Sequence, residues 1–415
     1  MGGTDEARPE PVALRRSVGL AGLVLYGLGV TVGAGIYVLV GEAVVRAGPY
    51  APAAFLLAAI VMAFTAASYA ELSTRIPQAA GDAVYVEAAF GRPWLTVVVG
   101  LAVLAEAVIA AAAIAVGAAG YLAELVALPR PLLIAAVVLS MAAVAARGIR
   151  ESILVAGAMT VIEVAGLAVI VALGVAAEPA ALAELPGMLV PPPGDAAAVS
   201  GVLGAGLIAF FAFIGFDDIV NLVEEARHPR RDLPRAIAIT LVLVTLIYVL
   251  VAFVAVRAIQ VAEIAATDAP ISLLFERLTG MSPLAITLIA IMATMNGVVI
   301  ILVMAARVAY GMARAGRLPG WVGRVSTRTR TPLRATVMVA AVVLGLAVLA
   351  PLGALAQLTS ALVLAVFFMV NVALAGLKLR GGAGPAPGFS VPAVVPLCGA
   401  VSCLGLLAGA VASGG

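Results

Sequence analysis

Two glutamates stand where a carboxylate is expensive to keep. Glu106 and Glu163 each sit inside a long apolar stretch, the second within Met159-Thr160-Val161-Ile162-Glu163-Val164. A carboxylate at bilayer depth costs about 2.5–3.5 kcal/mol on insertion scales, so it either serves a purpose or is held neutral by hydrogen bonds that join helices. Glu163 is placed to load and release a proton. Glu106 is placed to read a substrate side chain, which would favour a basic one.

Glycine supplies the second kind of chemistry. Gly33-Ala34-Gly35 interrupts the first apolar stretch, and Phe211-Ala212-Phe213-Ile214-Gly215-Phe216 followed by Asp217 and Asp218 interrupts the sixth. Glycine inside a helix costs about 1 kcal/mol against alanine, so both stretches invite local unwinding. Unwound backbone at membrane depth is tolerated where it lines a cavity or binds something. Amides freed at the first break suit a carboxylate, because a half-helix N-terminus carries unpaired N–H groups and a positive dipole end. Carbonyls freed at the sixth suit an ammonium. Together they describe an α-amino acid. The plainer reading is that the glycines only allow close helix packing.

Other chemistries are poorly supplied. Cys398 and Cys403 are the only cysteines, five apart, which leaves no disulfide framework or thiolate metal site. The single histidine, His228, lies in a charged segment, so a zinc-hydrolase pair cannot be built. No nucleophile–base arrangement is visible, and the chain does not read as an enzyme or as needing a cofactor.

The elements that must position these groups are membrane helices. Of 415 residues, 64% are hydrophobic and 11% charged, against roughly a quarter charged in soluble domains. Mean hydropathy is +1.19. Stretches long enough to span run over 18–45, 50–70, 94–122, 131–146, 152–177, 199–223, 236–256, 283–306, 335–350, 355–377 and 392–412. The expected fold class is therefore an all-α membrane protein of about eleven transmembrane helices. With the N-terminus inside, 20 of the 24 Lys and Arg fall on cytoplasmic segments and only Arg46, Arg130, Arg257 and Arg277 fall outside. That bias places residues 1–17 in a cytoplasmic tail and the C-terminus outside. Arg15 and Arg16 precede an apolar run too long for a cleaved leader, whose core is about 7–15 residues, so the first span reads as a retained anchor. A short surface helix is expected between Glu71 and Pro93, another between Gln260 and Gly280, and a stiff turn at Pro191-Pro192-Pro193-Gly194. There is no nucleic-acid-binding surface; the partners are lipid and a small solute.

Interrupted segments at the first and sixth positions are the pointer to a 5+5 inverted repeat, 18–177 followed by 199–377, with 392–412 as an added span.

The motifs carry a resemblance. Gly33-Ala34-Gly35-Ile36-Tyr37, then Tyr69-Ala70-Glu71-Leu72 with Arg75-Ile76-Pro77 and Gly81-Asp82-Ala83-Val84-Tyr85, resemble the first helix and inner loop of the amino acid–polyamine–organocation (APC) superfamily. Phe213-Ile214-Gly215-Phe216-Asp217 through Glu224-Glu225 and Leu233-Pro234-Arg235 is similar to its sixth helix and following loop. Arg307, Tyr310, Met312-Ala313-Arg314, Gly316, Leu318-Pro319 and Thr331-Pro332 match its pattern after the eighth. The nearest pattern is that of bacterial amino acid permeases related to cationic amino acid transporters.

The resemblance implies a LeuT-like fold and alternating access. It places a substrate carboxylate against Val32, Gly33, Ala34, Gly35 and Ile36. It places the ammonium on carbonyls of Phe210, Phe213 and Ile214, with Phe213 and Phe216 shaping the pocket. Three departures stand out. Eleven spans are expected where twelve are common in the family, Asp82 replaces a usual serine, and Glu163 stands where proton-coupled relatives carry a lysine. Sodium coupling is not expected, because 297–310 holds no Ser or Thr and Ala305-Ala306 fill the turn where the family places hydroxyl ligands. Glu71, Arg75, Asp217, Glu224, Glu225, Arg231 and Arg314 are candidates for inner-gate ion pairs, or for a solvated face.

The function expected is secondary amino acid transport at the bacterial plasma membrane, by proton symport or exchange. Two readings stay open beside it: a polyamine or organic-cation carrier of the same fold, and a non-transporting membrane sensor or subunit.

Overall fold

A computed structural model describes residues 18–76, 81–147, 153–223, 225–326, 331–380 and 388–412. Sixteen α-helices follow in order. They are α1 (Leu20–Val32), α2 (Gly35–Ala47), α3 (Ala51–Arg75), α4 (Gly81–Phe90), α5 (Pro93–Ala123), α6 (Arg130–Arg147), α7 (Ile153–Ala177) and α8 (Leu185–Met188). The second half holds α9 (Ala196–Ala212), α10 (Pro229–Ala258), α11 (Val261–Ala265), α12 (Pro270–Thr279), α13 (Leu284–Arg314), α14 (Leu333–Leu349), α15 (Leu352–Leu379) and α16 (Val394–Ala412). Among the described residues there is no strand beyond an isolated bridge between Val18 and Ala226. Several helices carry proline in the first turn, where its missing N–H costs nothing, as in α3, α5, α10 and α12. Asp195 starts α9 by accepting the Ala198 amide at 2.9 Å.

Among the described residues, nine helices are long and apolar enough to cross a membrane, and Leu20–Val32 and Leu333–Leu349 are shorter apolar helices. The difference from the eleven expected stretches has two local causes, one being that α14 has only 17 residues. The first stretch is cut at Gly33-Ala34 into two 13-residue helices, and α2 runs through a short 3-10 turn at Gly48–Tyr50 into α3. Exposed Leu132, Leu139, Val161, Val242, Leu246, Val337 and Val401 put apolar side chains on the perimeter, as lipid contact requires. The expected surface helices are present as α4, α11 and α12, with Ile271 and Leu274 fully buried beneath α12.

Both interrupted helices pack against each other. The helix preceding the second break ends at Ala212, and a turn leads into a 3-10 helix at Phe216–Leu222. A Cβ on Gly35 would lie 2.6 Å from Cα of Ala212, so α2 and α9 meet backbone to backbone. Gly215 has φ +115° and faces Val30, whose carbonyl oxygen would be 3.1 Å from an added Cβ, so the turn needs glycine there. Buried Tyr248 of α10 holds the pair together: its hydroxyl lies within donating distance of Thr31 O at 2.8 Å and Ala212 O at 2.9 Å. These are carbonyls that a helix end leaves unpaired. Each break is thus braced by the other.

Candidate functional site

A cavity of about 80 Å³ lies between the two breaks. One wall is Gly29, Val30, Thr31, Gly33, Ala34 and Gly35 of the first break. Another is Phe211, Ile214, Gly215 and Asp218 of the second. The sides come from α5 (Glu106, Ala107, Ala110, Ile114) and α13 (Asn296, Gly297, Ile300, Ile301, Met304), with Thr359 of α15. The α2 N-terminus opens beside it at Gly35, and no side chain caps it, so its first-turn amides have no partner inside the helix. On the other side the α9 helix ends in tightened turns, with Phe213 N donating to Phe210 O and Ile214 N to Phe211 O, both at 3.1 Å. The arrangement offers donors and acceptors of backbone origin a few ångströms apart in a mostly apolar slot.

A second, larger cavity of about 420 Å³ adjoins the first and shares Glu106, Ile214, Gly215, Asp218 and Met304 with it. It extends to Arg317 and is lined by four carboxylates, from Asp82, Glu106, Asp217 and Asp218. Among the described residues no group of three or more His, Cys, Asp or Glu is arranged to hold a metal ion. Asp82, on the surface helix α4, accepts a hydrogen bond from the Tyr69 hydroxyl. Burial, reinforced by the Asp217 carboxylate, pushes Asp82 up to about 7. Asp217 itself accepts the Gly215 amide at 3.1 Å and so pins the second break.

The expected substrate residues divide. Gly33, Ala34, Gly35, Ile214 and Glu106 line the central cavity. Val32, Ile36, Phe210, Phe213 and Phe216 do not; their side chains are fully buried in the packing behind the breaks. Phe213 meets Tyr248 edge-on at 5.0 Å, Phe210 meets Phe367 at 6.0 Å, and Phe216 meets Tyr69 and Phe367, each at 5.6 Å. Phe210 at the end of α9, and Phe213 and Phe216 in the turn and 3-10 helix after it, thus pack towards α15, α10 and α3, and Phe211 faces the cavity in their place. Glu163 is 1% exposed and lies behind the first break instead of in the cavity, its Oε2 3.9 Å from where a Cβ on Gly33 would be. Its Oε1 has no hydrogen-bond partner, while its backbone oxygen accepts from the Tyr37 hydroxyl at 2.7 Å.

The described gate candidates make several separate contacts. Glu71 is buried and pairs with Arg75 at 2.7 Å and with Lys378 of α15 at 2.8 Å, and it accepts the Val391 amide at 2.7 Å. Arg231 pairs with its neighbour Asp232 at 2.8 Å. Asp217 is spent on Gly215. Glu225 offers its backbone oxygen to Val18 N at 3.0 Å, and Arg314 is exposed at the end of α13. Glu224 lies outside the described residues. Sequence reasoning missed Lys378, Thr31, Asn296, Met304 and Thr359. For the α13 pair a signal existed, since Asn296 and Met304 share a helical face with Ile300 at spacing four.

Known proteins resemble the chain along nearly all of its length. A family model described as amino acid permease matches residues 18–414. The branched-chain amino acid permease BcaP of Bacillus subtilis is 29% identical over 396 residues, covering 89% of this chain and 82% of that protein. The vacuolar cationic amino acid transporter 2 of Arabidopsis thaliana is 30% identical, covering 88% of this chain and 60% of that protein. The methylthioribose transporter of Bacillus subtilis is 28% identical, covering 97% and 90%.

Proposed function

The chain belongs to the amino acid permease family of the APC superfamily, and on that premise we propose that it is a secondary transporter moving α-amino acids by alternating access. The observation that carries this is the pairing of two helix breaks across one cavity, with an uncapped helix N-terminus on one side and a helix C-terminal turn on the other. The substrate carboxylate is received by the amides around Gly33, Ala34 and Gly35. The ammonium is received by carbonyls around Phe213 and Ile214. Residues 18–177 and 199–377 form two inverted repeats that rock about this point. The acidic cavity that runs to Arg317 is the cytoplasmic path, and the protein sits in a bacterial plasma membrane with its N-terminus inside.

Glu163 couples transport to protons. Its position supports this: it is buried directly behind the Gly33 break with Oε1 unpartnered, so a change in its charge is felt by the backbone that holds the carboxylate. The test is uptake of labelled amino acids into proteoliposomes, with and without an inward proton gradient, for the wild type and Glu163→Gln. Gradient-stimulated uptake that the variant loses supports symport through Glu163. Uptake indifferent to the gradient in both proteins makes the protein an exchanger or facilitator and returns Glu163 to a structural role.

The second reading, a polyamine or other organic-cation carrier, draws on the carboxylates of Asp82, Glu106, Asp217 and Asp218 along the larger cavity. A substrate without a carboxylate would leave the α2 amides unused, which is why the amino acid is preferred.

A further inference from the structure

Backbone groups at the two breaks read only what all α-amino acids share, so selection among them must come from side chains elsewhere in the cavity. Two faces supply those side chains. On α5, Glu106, Ala110 and Ile114 recur every four residues; on α13, Asn296, Ile300 and Met304 do the same. Each set spans about 12 Å along its helix. The slot between them is apolar except at its ends. Glu106 and Met304 are shared with the larger cavity, whereas Asn296 is not, so Asn296 marks the end away from it. Gly297 beside it is packed against the first break, since a Cβ there would lie 3.1 Å from Cβ of Ala34 and 3.6 Å from Cγ2 of Ile114.

The side-chain oxygen of Asn296 is buried and has no hydrogen-bond partner. Thr31, which also lines the cavity, has a buried hydroxyl in the same condition. A buried carbonyl oxygen without a donor is costly, and native proteins leave few of them. The substrate's carboxylate offers no proton, and its ammonium is provided for by the carbonyls of the second break. A donor on the substrate side chain is what remains. A charged side chain would be poorly served at this end, because the cavity's two carboxylates, Glu106 and Asp218, both lie on the side shared with the larger cavity. An amide both donates and accepts, which matches a hydroxyl or a primary amide.

Resting on the reading of the cavity as an amino acid site, we propose that Asn296 is a specificity-determining residue that selects α-amino acids whose side chains carry an uncharged hydrogen-bond donor, a hydroxyl or a primary amide. A site built to bond such a group rejects the analogue that lacks it, because the site's own polar atom is then left unpaired.

The test is initial-rate uptake into proteoliposomes of L-threonine against L-valine, which differ by a hydroxyl in place of a methyl. The wild type is expected to favour threonine by tenfold or more in Vmax/KM. Asn296→Leu, similar in volume, is expected to abolish that preference, read as a threonine-to-valine ratio of Vmax/KM near one. A wild type that takes up both equally overturns the proposal without need of any variant. A variant that loses threonine and valine in equal proportion also overturns it, since that places Asn296 on groups common to every amino acid. Uptake of other amino acids with no threonine preference refutes the selectivity alone. Failure of every amino acid to move or bind refutes the amino acid site and this inference with it.

Discussion

Replacing Gly35 by alanine tests the junction on which the site depends. The added Cβ would stand 2.6 Å from Cα, 3.1 Å from Cβ and 3.2 Å from O of Ala212, where ordinary contact begins at 3.4 Å. The obstacle is mainly backbone, so no rotamer change relieves it. Instead α2 and α9 must part by about 0.8 Å, which opens the cavity and drags Tyr248 away from one of its two carbonyls. Overpacking of this size costs about 1–3 kcal/mol. Misplacement of a binding group by about 1 Å can cost on the order of 10²-fold in rate. Gly345→Ala is the control, since an added Cβ on that α14 glycine meets nothing within 4 Å. It is expected to leave stability unchanged or slightly raised. The assay pairs the thermal midpoint of purified protein in detergent with initial-rate uptake in proteoliposomes. Gly35→Ala should lower the midpoint by several degrees and uptake by at least tenfold. If it behaves as Gly345→Ala does in both assays, the two breaks are not in backbone contact and the cavity between them is misdrawn.

Three further outcomes follow from particular contacts. Tyr248→Phe removes the hydroxyl that serves Thr31 O and Ala212 O; leaving those carbonyls unpaired should cost about 1–3 kcal/mol, read as a lower thermal midpoint with uptake falling further than stability alone accounts for. Glu71→Gln leaves Arg75 and Lys378 without their shared carboxylate and should destabilise by about 3–5 kcal/mol, partly recovered in the double variant with Lys378→Met. Asp82 has its folded-state value raised from 3.8 to about 7, so the folded protein holds a proton that the unfolded chain has released. Stability should therefore fall as pH rises from about 4 to about 7 and level off above it. Asp82→Asn should flatten that fall and exceed the wild type in thermal midpoint above pH 7; superimposable pH curves would contradict the assignment.

Much of the fold was legible because lipid imposes a simple rule. Spanning helices must satisfy their backbone internally, so apolar length and glycine interruption are visible in composition alone. The breaks at Gly33-Ala34 and Phe213–Gly215 fell where the glycines suggested. Side-chain directions were less legible. Phe213 and Phe216 look like pocket residues in sequence, yet both go into the packing, and Phe211, two positions before Phe213 and so on another side of the helix end, lines the cavity. The pair of Glu71 with Arg75, four positions on, is readable in sequence, but its second partner Lys378 lies 307 positions away, and nothing local announces a long-range pair. Asp82 read as a departure from a serine; the structure gives it the Tyr69 hydroxyl and a neighbouring carboxylate, neither apparent from its own segment. Asn296 stood alone in an apolar helix and was the most readable of the residues missed.

The claim at the centre is that one small cavity reads both a carboxylate and an ammonium with backbone groups from two broken helices. The most direct measurement is competition against a bound labelled amino acid by three unlabelled molecules: the same amino acid, its decarboxylated amine and its deaminated acid. The account predicts that the amino acid competes and that each truncated analogue is weaker by tenfold or more. An amine that competes as well as the amino acid would contradict it, because the amides at Gly33–Gly35 would then be reading nothing.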